Sequence, residues 1–180
     1  MTPLERQRAL DYLEQTKAAI LGSTDSFTEA RWRFKPSPEQ WSAAECIEHI
    51  AVVEQSLLRT LQRLAAGPPG TEEMLAATRG KDDIILRAVP RRRGKVQAPE
   101  PARPSNRWPD TATLVASFTE IRDQTILYVR STDHALRSVS HPHIVFGPLD
   151  GYQWLLFLAA HSERHLRQLQ ELHDLFSAAG

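Results

Sequence analysis

Cysteine is nearly missing from this chain: Cys46 is the single one. An intramolecular disulfide is thereby excluded, and the composition fits a reducing compartment. Neither sign of charge is in excess, with 22 Lys and Arg against 22 Asp and Glu. A general nucleic-acid binder or a polybasic membrane binder needs a net positive field, so both classes are set aside. Long apolar runs are missing too. The longest, Trp154–Ala160, falls far short of the about 20 residues that span a bilayer. The N-terminal MTPLERQRAL has no apolar signal core. These absences predict a soluble, cytoplasmic protein. Strand alternation and fixed-period repeats are absent as well; HIVF at 143–146 reads as a short extended piece and no more.

What is present is helical. The length of 180 residues suits one domain, 1–180, with a substantial core. Thr2, Pro3 and Glu5 form a capping-box start. Leu10, Leu13, Ile20 and Leu21 then recur at helical spacing, which predicts a first helix over Pro3–Leu21. FKPSPEQWSAAE makes an extended connector, after which Ser42 caps a second helix with Glu45 three residues on. Its stripe is Cys46, Ile47, Ile50, Val53, Leu57, Leu61 and Leu64, ended by Gly67 and Pro68. Cys46 on that stripe reads as a small core residue. Residues 67–110 are rich in proline and glycine and weakly periodic. They predict a long irregular connection with short helical turns within Glu72–Ala77 and Asp82–Val89. A third helix begins near Asp110 or Thr111, with Leu114, Phe118, Ile121, Thr125 and Tyr128 inside, and fades at STDH. The fourth runs from about Asp150 to Phe176. Together these predict an all-α fold: a four-helix bundle with a long crossover between helices 2 and 3.

The last helix raises a chemical question. On a wheel at about 100° per residue with Trp154 at zero, Leu158, Leu169, Leu172 and Phe176 define a core face near 30°. His161 and His165 fall near 340° and 20° by the same rule, inside the apolar stripe. A buried imidazole without a partner costs about 1–3 kcal/mol. Two at i and i+4 point the same way, so their nitrogens can converge on one ion. The alternative is two core histidines satisfied by neighbouring groups. A third ligand must come from another helix. His49, at the edge of the second helix's apolar face, is the best candidate; its alternative is an exposed flank. His141 and His143 flank Pro142 in a loop, and His134 and His173 suit solvated ends. HSERH is not the zinc-protease pattern, since Glu163 stands one position too late and points nearly opposite both histidines. Gln168 shares the histidine face and Glu45 lies one turn before His49. Either can orient a ligand, or serve as a surface or capping residue. Arg91–Arg93 with Lys95 reads as solvated loop, with an anion-holding or gating role as the alternative. Trp32, Trp41 and Trp108 sit at helix ends, where they cap the core or line a pocket.

FGPLDGYQWLLFLAAHSERHLRQL and WSAAECIEHIAVVE together resemble the two signature motifs of the DinB/YfiT-like metalloenzyme superfamily. The resemblance spans most of the chain and is loose over 67–110. It implies a four-helix bundle, commonly a homodimer, with a divalent metal (Zn, Ni or Fe) on His49, His161 and His165. It also implies a small-molecule substrate and a low-molecular-weight thiol as co-substrate, since members of known activity include thiol-dependent transferases and isomerases. The expected function is thus metal-dependent, S-transferase-like chemistry. A metal-dependent hydrolase and a non-catalytic metal-binding bundle are the alternatives.

Overall fold

The capping residues begin the helices as their chemistry requires. In the computed structural model, which describes residues 1–91 and 97–179, Thr2 and Glu5 close a reciprocal capping box at the start of α1 (Pro3–Thr24). Ser42 and Glu45 do the same for α3 (Ala43–Ala65). Asp110 accepts from the Thr113 N–H to open α6 (Thr111–Ser131). Asp150 and Gln153 exchange side-chain bonds with each other's backbone N–H at the start of α7 (Gly151–Ala179). Each box satisfies donors that the first helical turn would otherwise leave open.

These four long helices form the bundle. Each of α1 and α3 packs against both α6 and α7, so the pairs α1/α3 and α6/α7 lie on the diagonals. Cross-links give the directions. Arg6 donates to the carbonyls of Val129 and Thr132 while Lys17 meets Asp123, so α1 and α6 run antiparallel. Tyr12 bonds Glu163 and Phe27 stacks on His173, so α1 and α7 run parallel. One core layer joins Ile47 and Ile50 to Leu114, Phe118, Leu169 and Leu172; the other joins Leu61 to Val129, Leu155 and Leu158. Hence α3 is parallel to α6 and antiparallel to α7. A parallel α3/α6 pair explains the long crossover. The chain leaves α3 at one end of the bundle and must return to the other, a rise of about 34 Å for a helix of this length.

The return path is less irregular than its composition predicts. α4 (Glu72–Ala76) and α5 (Asp82–Ala88) lie within the two segments expected to turn helical. α5 packs on α7 and buries Ile85 completely. A 3-10 turn, Glu100–Ala102, lies against α3. Other elements were not expected either. α2 (Glu29–Arg33), capped by Thr28, seats the buried Trp32. A hairpin of β1 (Ser140–His143) and β2 (Gly147–Asp150) precedes α7. HIVF is therefore mostly turn rather than strand; the strands are its flanks. The turn closes through Gly147 at φ 65° and through Lys81, whose Nζ donates to the carbonyls of Phe146 and Pro148, both at 2.8 Å. Gly151 carries the chain under Leu136: a Cβ there would stand 2.7 Å from the Leu136 carbonyl oxygen.

A buried ion pair crosses the centre of the bundle. Arg122 on α6 is wholly buried and binds Glu54 on α3 through two 2.7 Å hydrogen bonds. It also donates to the Leu13 carbonyl and Thr16 Oγ1 on α1, both at 2.9 Å, and to Ser162 Oγ on α7 at 2.7 Å. All five guanidinium N–H groups are used, and all four helices are tied at one point.

Among the described residues, no helix is long and apolar enough to cross a membrane.

Candidate metal centre

Three imidazoles meet between α3 and α7. His161 and His165, one turn apart on α7, present Nε2 atoms 3.2 Å from each other. His49 on α3 brings its Nε2 to 3.2 Å from the same His161 nitrogen. One ligand atom from each of the three lies within 4.8 Å of the other two. A tetrahedral ion with Zn–N bonds of about 2.0–2.1 Å has ligand–ligand edges of about 3.3–3.4 Å. The two observed 3.2 Å separations are close to that edge.

The outer ring nitrogens decide what the inner ones can do. His49 Nδ1 lies 2.7 Å from the Ala102 carbonyl oxygen. A carbonyl only accepts, so Nδ1 carries the proton and Nε2 presents a lone pair. His165 Nδ1 lies 3.1 Å from Gln168 Oε1, which likewise leaves its Nε2 a lone pair. Both lone pairs face His161 Nε2. A single proton there can satisfy one of them and not both. A divalent cation accepts all three, and outer bonds of this kind are what orient metal-binding histidines. The residues present therefore fit a divalent metal.

Electrostatics favour the same state. Burial holds the His49 imidazole below its ordinary value, against the opposing bond to Ala102. His161 is pushed well below, first by burial and then by the neighbouring His165 and His49. Neutral imidazole is the ligating form.

The surroundings are aromatic. The Trp41 ring stands 4.8 Å from His49 and 6.2 Å from His165. Phe157 stacks on His161 at 5.4 Å. Of the three tryptophans at helix ends, Trp41 is the one beside the cluster. His143 packs on Phe157 at 4.6 Å and on Trp154 at 5.2 Å. Its Nδ1 accepts from the N–H groups of Val145 and Phe146, and burial lowers it to about 4. His143, expected in a loop, is thus a fixed part of the wall behind Phe157. His134 is exposed, whereas His173 is half-buried against Phe27.

The flanking residues divide. Gln168 touches His165, as its place on the helix face allowed. Glu45 is spent on the Ser42 cap and on Lys35 at 3.0 Å. Glu163 points to α1 and its own helix, bonding Tyr12 at 2.5 Å and Arg167 at 2.7 Å. Cys46 is fully buried in the core. Of the basic run, Arg92, Arg93 and Lys95 lie outside the described residues, while the Arg91 carbonyl accepts from Arg164 at 2.8 Å. Sequence reasoning missed Ala102 and Glu48. A backbone acceptor carries no side-chain signal, and Glu48 lies off the apolar stripe. Its neighbour His49 is 5% exposed rather than on an open flank, because the 3-10 turn covers it.

Lowered imidazoles give a signed pH dependence. Below about 6.5 the unfolded chain binds protons that His49, His141, His143 and His161 in the folded state refuse. Stability therefore falls as pH drops through that range, down to about 4 for His143. Urea unfolding of metal-free protein should give a lower midpoint at pH 5 than at pH 7.5. An equal or higher midpoint at pH 5 contradicts the assignment.

The fold and site define a helical bundle with a three-histidine cluster suited to a divalent cation. The model of the DinB superfamily matches residues 12–169, and the chain belongs to that family. It is similar to the uncharacterized protein YuaE of Bacillus subtilis (strain 168), with 24% identity over 145 residues, 81% of this chain and 85% of that one. The solved structure of YfiT from Bacillus subtilis, described as "a probable metal-dependent hydrolase with an unusual four-helix bundle topology", superimposes with a TM-score of 0.65 at 14% identity. It covers 98% of this chain and 90% of YfiT.

Proposed function

We propose that this chain is a divalent-metal enzyme that activates a small thiol for transfer to an electrophilic substrate. The observation that carries the metal dependence is the convergence of His49, His161 and His165 with two lone pairs already turned inward by Ala102 and Gln168. A divalent ion on three neutral imidazoles keeps its full charge and open positions, and supplies Lewis-acid activation of a nucleophile.

The preference for a thiol rests on what stands beside the cluster. Among the described residues, the group of three or more His, Cys, Asp or Glu side chains placed to hold an ion is the histidine triad itself. Glu163 and Glu45 are held elsewhere, so neither is placed to take a proton. On a divalent ion water would be brought to about 7, so acidity alone does not separate the two nucleophiles; a thiol, at about 8.5 unbound, would be held there as thiolate, the stronger nucleophile toward an electrophile. Trp41 and Phe157 offer apolar surface for the electrophile. Hydrolysis is the second reading, supported by the description of YfiT.

An assay of metal-loaded protein on an electrophile, with and without added low-molecular-weight thiols, separates the two. Turnover that requires the thiol and yields the thioether is expected. Equal turnover without thiol assigns the protein to hydrolysis, and none under either condition removes both readings.

A further inference from the structure

The crossover does more than return the chain. Glu48, next to His49 on α3, is 3% exposed and faces the stretch 101–107. Its Oε1 accepts from the Ser105 N–H at 2.7 Å and from Arg107 Nη1 at 2.7 Å; its Oε2 accepts from the Asn106 N–H at 3.0 Å. The Arg107 N–H adds a longer bond of 3.4 Å to Oε1. Asn106 adopts φ 57°, and the left-handed turn aims successive N–H groups at one anion. Arg107 then reaches back. Nη1 donates to the Arg103 carbonyl at 2.8 Å and Nη2 to the Pro101 carbonyl at 3.1 Å. The carbonyl between those two is Ala102, which His49 Nδ1 takes at 2.7 Å.

We infer that Glu48 and Arg107 are positioning residues forming a latch that sets the tautomer of His49 through the Ala102 carbonyl. Glu48 anchors the turn, Arg107 fixes the carbonyls on either side of Ala102, and Ala102 holds the proton on Nδ1. Without the latch the His49 proton is free to move to Nε2, where it blocks the lone pair. Docking of the crossover on α3 and ion affinity are then coupled, and each strengthens the other. The coupling to an ion rests on the metal reading above; the tautomer does not.

The test uses the full chain in three forms: wild type, Arg107→Ala and Glu48→Gln. The second substitution keeps shape and volume, so it stands in should Arg107→Ala not fold. Long-range proton–nitrogen NMR on metal-free protein reads the His49 tautomer, and chelator competition reads the Zn²⁺ dissociation constant. The expected result is Nδ1–H at His49 in wild type, a mixture in both variants, and a dissociation constant raised roughly 10–100-fold. An unchanged His49 tautomer in variants with wild-type helix content overturns the latch. Absence of Zn²⁺ binding in wild type removes the metal reading, and the tautomer shift still decides the latch.

Discussion

Replacing His161 with alanine should abolish tight metal binding and leave a folded bundle. Its Nε2 is the atom that both other nitrogens approach at 3.2 Å, so the variant loses the centre of the cluster. The loss should exceed the roughly 100-fold that removal of an outer hydrogen-bond partner causes. Stability of the metal-free protein should move little. His161 is half-buried, and its stacking on Phe157 is worth about 0.5–1.5 kcal/mol. Its removal also relieves three crowded nitrogens. The contrast between states is diagnostic. Saturating Zn²⁺ at about 1,000 times the dissociation constant raises wild-type stability by about 4 kcal/mol, and the variant should gain almost none. Calorimetric unfolding with and without Zn²⁺ measures both. A variant that retains the metal-induced shift means that His161 is not a ligand.

The second large effect lies away from the site. Arg122→Ala leaves the Glu54 carboxylate 1% exposed and without its partner, and strips Thr16, Ser162 and the Leu13 carbonyl of a donor. Breaking a buried pair in this way costs about 3–5 kcal/mol. Total stabilities are about 5–15 kcal/mol, so this is a large share. The melting temperature should fall by roughly 10 °C, at about 2–4 °C per kcal/mol for this size. The pair Arg122→Met with Glu54→Leu removes both charges together and should recover most of the loss, because apolar replacements of a buried pair are often neutral. Thermal unfolding of the three variants checks it. A single substitution costing under about 1 kcal/mol, the range of an exposed ion pair, contradicts the buried assignment.

These residues show which parts of the structure a sequence exposes. The four long helices were legible because their caps and apolar spacing are local. Thr2 with Glu5 and Ser42 with Glu45 name the starts, and α1 runs past Gly22 to Thr24 because one glycine does not stop a helix that packing supports. His161 and His165 were legible because both sit on a face otherwise built of leucine and tryptophan. Arg122 and Glu54 were not, since a charge on a helix reads as solvated until its partner on another helix is known. The latch was invisible for the same reason: Glu48 and Arg107 are 59 residues apart, joined only by the path of the crossover. The hairpin escaped because its strands hold four residues each and include Pro142 and Pro148. α2, five residues long, is too short to show periodicity.

The most direct test is the metal content of wild-type protein purified without an affinity tag, then equilibrated with Zn²⁺ or Ni²⁺ and freed of excess. One ion per chain is predicted, falling to none when His49, His161 and His165 are all replaced. A ratio near zero in wild type after equilibration, or full occupancy in the triple variant, contradicts a metal centre built on these three imidazoles.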